Sequence, residues 1–598
     1  MNADPRSLHK VPERPAEPAQ YAEALRLWWV VLPPLAALVC LASITAIVSP
    51  EFVAHALFAS VLPANTDLVH GRVLVRNLAV AGLVVGAMFL VWRLTLGRNR
   101  PGALAGWFVL ASIVLYLAGS VSLWWYVNDD AAITFTFARN LAGGYGLVFN
   151  RAEAPIEGYS NPLWLLLLAG GRICGMDIVW TAKVGGLVLG AASIMLMGVV
   201  VLREHPLSWL ALPIAATTAS FIIWNNSGLE NALHGMLLIA VAMLLRKPLR
   251  MRSRRLAALV SLLVLLVLAR PEGVLFAAFA GLYVAITALR AKGPFLPALA
   301  VWGVPAVAFA CLTGFRYWYF GDLLPNTFYA KASQTNPLRL FNPFSGGWSY
   351  VHGSAEACGW IVAMVPVLIL FDRRRPAPSF LPAALTLVGA QVFFIVSVGG
   401  DWMAESRFIS PVVPIVSIII ALGLARLWDL LRRACAWNKA GFVICLAVAA
   451  SIVGPQARRL ILFEHHPTTP MDTVARIGRY FVDLAARGGI EDPTLLHHDA
   501  GGTTYVANIR LIDLGGLCDR TVAKHWHEPE IIRHYLFEQR RPTFIYSSAT
   551  FADRIGLQDF PEFHSDYVAL PPATDEALKG DVRRVRRDAY DRIFARHK

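Results

Sequence analysis

Apolar runs of roughly 17 to 25 residues, the length that carries a helix across a hydrocarbon core, recur from about residue 28 to about residue 455 of this 598-residue chain. A single soluble core has no place for so many. In lipid, moreover, each segment must satisfy its own backbone N–H and C=O groups, so the runs predict membrane-spanning helices. The approximate spans are 28–48, 77–96, 103–124, 179–202, 207–223, 228–245, 256–269, 273–290, 296–314, 357–371, 379–398, 410–427 and 439–455. Composition agrees: 56% of residues are hydrophobic and 16% charged, against about 25% charged in soluble domains. The pattern stops at residue 456, beyond which charges, histidines and short apolar stretches alternate as in a water-soluble domain. The expected fold class is therefore an α-helical polytopic membrane protein of about thirteen spans with a C-terminal extracytoplasmic α/β domain. It divides into a cytoplasmic tail (1–26), a transmembrane module (27–455) with a large outer loop (125–178), and a soluble domain (456–598).

The orientation follows from where the positive charge lies. A net charge of +14 would point to nucleic acid in a soluble protein, but here much of it sits in short loops between apolar runs. Lys and Arg accumulate in cytoplasmic loops. This places Arg98/Arg100, Arg246 to Arg255, Arg290/Lys292, Arg373 to Arg375 and Arg426 to Lys439 inside, and these assignments agree in parity. No nucleic-acid partner is expected. The apolar stretch 161–174 is too short to span comfortably, and a crossing there would break the parity, so it is expected to lie at the outer interface. The soluble domain is then outside. The polar first 26 residues, followed by many spans, fit an uncleaved anchor. Seven cysteines form neither a disulfide framework nor a metal spacing, and Cys518 is expected to be simply buried.

In the soluble part, Met471 to Arg487 carries Val474, Ile477, Phe481 and Leu484 on one helical stripe. Thr494 to Asp499, Ile509 to Leu514 and Thr543 to Tyr546 read as short strands, and strand alternating with helix indicates a small α/β domain.

Four polar stretches join this domain on the expected outer face. The first contains Asn128-Asp129-Asp130 opening a helix that Gly143-Gly144 closes. One acid, or Asn128, serves as an ordinary N-cap; the second needs solvent, a partner or a cation. Position alone favours Asp129 as the cap and Asp130 as a general base toward a sugar hydroxyl, and together the two could hold a divalent ion (Mg, Mn or Ca). The stretch Glu157-Gly-Tyr-Ser-Asn-Pro162 is turn chemistry in its Gly, Asn and Pro, while Glu157, Tyr159 and Asn161 could bind a hydroxylated substrate. Arg270 and Glu272 flank Pro271 at a span end: either a simple pair, or a guanidinium clamp for a lipid phosphate. Gly321 to Lys331 adds Asn326 and Lys331, and Gly399 to Phe408 adds Asp401, Trp402 and Arg407. Any of these could instead anchor at the bilayer edge. His497-His498-Asp499 does not favour a metal, since neighbours on a strand face opposite ways, and is read as structural or acceptor-facing. No catalytic triad is present.

The acid-pair helix, Gly-Leu-Val-Phe-Asn150, Glu157-Gly-Tyr-Ser-Asn-Pro-Leu-Trp164, Arg270-Pro-Glu-Gly273, Leu323-Leu-Pro-Asn-Thr-Phe-Tyr-Ala-Lys331 and Gly399-Gly-Asp-Trp-Met403 followed by Arg407-Phe408, taken in order, resemble the bacterial polyprenyl-phosphate-dependent glycosyltransferases of the GT-C fold. Within that fold the resemblance is to the family of the mycobacterial terminal arabinofuranosyltransferase. It runs from about residue 125 to 410, with an echo near Asp499-Ala-Gly501 and Ile512 to Leu517. It implies transfer of arabinofuranose or another pentose from a polyprenyl-phosphate donor, in contact with membrane lipid, to a cell-envelope glycan or glycoprotein acceptor. Asp129 and Asp130 would match the family acids, and Arg270, Lys331 and Arg407 would be the pool from which donor-phosphate ligands come. No cofactor beyond the cation is implied. A single displacement would invert the anomeric centre, but sequence leaves inversion or retention open. Thr136 stands where many members have Arg, and the first two spans lie outside the resemblance. The rival reading is a lipid-linked sugar flippase or transporter, which would use paired repeats and broken midplane helices that the sequence does not display. A plain surface-binding module would need only one anchor.

Overall fold

The computed structural model describes residues 101–571, except 152, 203, 248, 250, 252, 333–345, 373–375 and 436–437, together with 578, 582–594 and parts of 23–32 and 75–86. The tail 1–26, the spans 28–48 and 77–96, and the clusters Arg98/Arg100 and Arg373 to Arg375 fall wholly or largely outside these residues.

Among the described residues, seven helices are long and apolar enough to cross a membrane: Leu104–Ser122, Ile178–Val201, Gly273–Arg290, Leu296–Phe320, Leu381–Val398, Ser410–Arg433 and Lys439–His465. Two bent pairs, Pro206–Thr217 with Ala219–Asn225 (52°) and Gly346–Ala357 with Trp360–Ile369 (82°), raise the number to nine. Among the described residues the expected count of thirteen is not reached, two of the thirteen lying largely outside them. Two expected spans are helices of only 15 and 16 residues, Asn231–Leu245 and Arg254–Ala269, short of the ~20 that reach across hydrocarbon. The span expected at 357–371 is one limb of a bend and the span at 207–223 breaks at Thr218, so broken helices are present after all. Pro455 does not end its helix, which continues to His465. The outer-loop helix Pro162–Ile173 has 12 residues, about 18 Å at 1.5 Å per residue, and bares Leu166, Leu167 and Ile173, as an interfacial helix does.

The helices alternate between two ends. At one end Arg246 meets Glu204 (3.3 Å) and the Ser379 hydroxyl, and Arg426 reaches the Pro376 carbonyl at 2.5 Å. The other end carries the acid helix and the C-terminal domain. Breaks are satisfied within the protein, as lipid requires. Gln456 accepts from the Ala219 N–H (3.0 Å) at the first bend and donates to the Ala357 carbonyl (3.1 Å) at the second. Buried Lys183 donates to the carbonyls of Leu123, Tyr126 and Asn226 (3.1, 2.7 and 2.7 Å), tying down the chain that enters the acid helix. Small residues let Ile178–Val201 approach Leu104–Ser122: a Cβ on Gly190 would collide with the Tyr116 hydroxyl, which donates to the Gly186 carbonyl at 3.1 Å.

The C-terminal domain has the expected helix Met471–Arg487 with its stripe buried, and five strands: β1 Thr494–His497, β2 Arg510–Asp513, β3 Phe544–Ser547, β4 Tyr567–Ala569 and β5 Val582–Arg586. The order is β2-β1-β3-β5-β4, with β2, β1 and β3 parallel and β5 antiparallel to both β3 and β4. The first three strands match the sequence reading; the last two were missed, because Val582 to Arg586 reads as a charge run. Cys518 is buried, as expected.

Candidate active site

The acid helix spans Asp129–Ala142, and its N-cap is Asn128, whose side chain accepts from the Asp130 N–H at 3.1 Å. Asp129 is therefore not the cap expected from position. Its carboxylate points into the C-terminal domain and accepts from the N–H groups of Gly501 (3.0 Å) and Gly502 (2.6 Å), the start of the short helix Gly501–Tyr505. Glycine is needed there, because a Cβ on Gly501 would collide with the Asp129 carbonyl. Arg139, ten residues on, donates to the carbonyls of Tyr505 (2.8 Å) and Thr504 (3.4 Å) at that helix's other end. Acid at the start and base at the end complement the small helix's dipole. Burial, and next the charge of Asp499, push the Asp129 pKa up, while the two glycine N–H groups pull it down.

Asp130, one residue on, takes no part in that grip. Its side chain is 34% accessible and meets Arg407 at 3.2 Å. Arg407 is gripped bidentately by Asp401 (2.7 and 3.2 Å) and packs over the rings of Phe408 and Trp224. The backbone before it is strained: Glu405 and Ser406 both have φ of 54°, a left-handed conformation that costs non-glycine residues about 1–2 kcal/mol each. Surrounding elements hold it in place. Trp224 donates to the Glu405 carbonyl (3.0 Å), Ser220 to Ser406 (3.1 Å) and Asn231 to Arg407 (3.1 Å), while Arg459 forks onto the Glu405 carboxylate. Lys331 is exposed and within electrostatic reach of Arg407, Asp130 and Asp401. Burial and then the charge of Arg407 lower its pKa, against Asp130 and Asp401, which raise it.

Arg270 pairs with Glu272, as the simpler sequence reading has it, and also with Glu230, which the sequence reading missed. Asn161 donates to Glu230 (2.5 Å) and accepts from Thr134 of the acid helix (3.1 Å). Arg270 is thus a buried tie between two carboxylates and not an open clamp. Glu157 is likewise committed, forked onto buried Arg316 at 2.7 and 3.1 Å; burial raises its pKa and Arg316 opposes that. Tyr159 packs on Phe137 in the core. Asn326 donates to the carbonyls of Gly516, Leu517 and Asp519 (2.7, 3.0 and 3.3 Å), docking the C-terminal domain, and Trp402 is 72% exposed. Of the sequence-named residues, Asp130, Asp401, Arg407 and Lys331 come together, while the others brace them or lie apart. Arg316, Glu230 and Lys183 were missed. The signal was there: ionisable residues in or beside apolar runs must pair.

Thr136 is fully buried with its hydroxyl on the Ala132 carbonyl (2.9 Å), so it meets core and not cleft. His497 is buried and His498 partly accessible. Among the described residues, no group of three or more His, Cys, Asp or Glu side chains is arranged to hold a metal.

Three comparisons bear on this geometry. Residues 472–590 match a domain of unknown function (DUF8728). A terminal beta-(1->2)-arabinofuranosyltransferase of Mycobacterium tuberculosis is 29% identical over 306 residues, 46% of each chain; the chain thus spans about half the length of the curated relative it matches. Among solved structures, ArnT from Cupriavidus metallidurans bound to undecaprenyl phosphate superposes with a TM-score of 0.50 at 13% identity, covering 79% of this chain and 97% of that one. Its apo form gives 0.49 at 13% identity, with 81% and 98% covered. A multi-pass helical bundle capped by a small sheet domain, with the acid helix between them, places the chain in the GT-C fold that its motifs imply.

Proposed function

We propose that the chain is a glycosyltransferase that moves a sugar, arabinofuranose or another pentose, from a polyprenyl-phosphate donor to a cell-envelope glycan or glycoprotein on the outer face of the bacterial plasma membrane. The observation that carries this reading is the meeting of Asp130, Asp401, Arg407 and Lys331 where membrane helices end against the C-terminal domain. A lipid-borne donor enters sideways from the bilayer, and its phosphate needs cations at that level. Arg407, pre-set by Asp401, and accessible Lys331 suit the task, since a guanidinium matches phosphate geometry and charge aimed at the leaving group stabilises the transition state. Arg407 also touches Asp130, so a phosphate arriving on Arg407 loosens that contact and leaves Asp130 to accept a proton. The acceptor hydroxyl then loses its proton to Asp130, its oxygen bonds to the anomeric carbon, and the carbon–oxygen bond to the polyprenyl phosphate breaks, releasing the lipid phosphate. The result is inversion. If a divalent cation takes part, Asp130 is the acid with accessible oxygens to meet it, because Asp129 spends both of its oxygens on glycine N–H groups. A flippase would string its charges between the two ends of the bundle, whereas these lie at one end.

The test is transfer from undecaprenyl-phosphate arabinofuranose by purified protein. Asp130→Asn is expected to lower turnover by at least 10²-fold, within the range of general-base loss, and normal turnover in this variant would sink the assignment. EDTA followed by Mg, Mn or Ca in the same assay decides whether a cation is needed.

A further inference from the structure

The strand order β2-β1-β3 has a consequence for the acceptor. The connection that leaves β1 runs to β2 on one side of the sheet, and the one that leaves its neighbour β3 runs to β4 on the other. In open sheets of this order, ligands bind in the crevice outside the carboxyl ends of the strands at that switch point. Here those ends are His497 of β1 and Ser547 of β3, which face the acid helix: the turn after β1 supplies the Gly501 and Gly502 N–H groups that hold Asp129.

The side chains at the crevice have a definite chemistry. His498 stacks on Phe551 with ring centroids 4.7 Å apart and planes at 21°, and the Arg554 guanidinium lies over the same Phe551 ring at 5.3 Å. Asp499, 35% accessible, lies 3.6 Å from the His498 Nε2. Beneath it His497 is fully buried, its Nδ1 on the Tyr546 carbonyl at 3.1 Å, while its Nε2 has no hydrogen-bond partner and stops 4.0 Å from Asp499. A nucleotide or phosphate would meet a carboxylate here, with the Gly501 and Gly502 N–H groups already taken by Asp129. A neutral polyol would meet a carboxylate able to accept its hydroxyls and a ring pair to lie against, the mixture of apolar wall and few polar groups typical of ligand sites.

We infer that the carboxyl ends of β1 and β3 form the acceptor half of the site, where His498, Asp499 and Phe551 bind a saccharide and aim its hydroxyl at the acid helix. The inference rests on the transferase reading above and gives the domain of unknown function a task. These three are positioning residues, so they act on acceptor affinity and not on the departure of the sugar from its lipid.

The experiment uses the full chain with undecaprenyl-phosphate arabinofuranose and two readouts: hydrolysis of the donor by water, and transfer to a synthetic arabinofuranosyl disaccharide. Asp499→Asn and Phe551→Leu are expected to raise the acceptor KM tenfold or more while donor hydrolysis and kcat stay within twofold. Phe551→Tyr, which keeps the ring, should restore KM to within threefold. Unchanged acceptor KM, or equal loss of hydrolysis and transfer, overturns the inference and leaves the transferase reading intact. A wild-type protein that performs neither reaction overturns that reading, and the inference with it.

Discussion

Asp129→Asn and Asp130→Asn should separate two adjacent carboxylates by what each holds. Asp129 offers both oxygens to backbone donors, at 3.0 and 2.6 Å, in a buried setting. Hydrogen bonds to a charged group contribute about 1.5–3 kcal/mol each. Asparagine keeps one accepting oxygen, loses the charge, and turns its NH2 toward the second glycine N–H, so donor faces donor. The net loss is about 2–3 kcal/mol, or about 30- to 150-fold in the opening equilibrium at 1.4 kcal/mol per decade. Asp130 is a third exposed and its contact with Arg407 is 3.2 Å; such pairs contribute roughly 0–1 kcal/mol, less than about fivefold. Amide hydrogen exchange over residues 498–506 reads local opening directly. Asp129→Asn should exchange about 30- to 150-fold faster than wild type and Asp130→Asn within about fivefold. Exchange in Asp129→Asn within threefold of wild type would mean that the carboxyl does not anchor the domain as an anion. Equal acceleration in both variants would refute the division of labour.

Three further outcomes are expected. Arg407→Lys should lower kcat for transfer by about 10²-fold without recovery at high donor concentration, because one ammonium cannot fork onto Asp401 and also reach Asp130; kinetics within threefold of wild type would refute it. Asp513 accepts from the Gly515 and Cys518 N–H groups, yet burial raises its pKa to about 7. A folded pKa above the unfolded one means that stability is full below about pH 4 and is lost as pH rises to about 7, by on the order of 4 kcal/mol; thermal melts of the full chain should show this loss, and Asp513→Asn should flatten it. Cysteine placed at Ser565 but not at Ser379, both exposed, should react with a membrane-impermeant maleimide on intact cells, and the reverse pattern would invert the orientation.

Period and length made the helices legible. Met471–Arg487 was readable to the residue because its apolar stripe has only one helical register. What was not legible depended on partners far along the chain. Nothing local to Asp129 announces glycines some 370 residues away, so position suggested a cap and the structure has a clasp. The clamp reading of Arg270 stayed open beside the Glu272 pair because its second carboxylate, Glu230, lies 40 residues earlier. The bend at Thr218 was invisible because hydropathy continues through it, and the one after Ala357 because the helix before it, Gly346–Ala357, is too polar to read as part of a span; Gln456, which makes both tolerable, sits on a third helix.

These bends explain why the site can exist at the edge of a bilayer. An irregular backbone survives at membrane depth only where protein satisfies its polar groups, and here each exception serves the same end of the bundle. Lys183 holds the carbonyls that lead into the acid helix. The first bend presents Ser220 and Trp224 to the strained turn before Arg407. The chain thus spends broken helices and a buried lysine to fix Asp130 and Arg407 within 3.2 Å of each other. Preorganised charge of this kind is most effective where water is scarce. On this argument, loosening the scaffold while sparing the acids should cost activity before it costs folding.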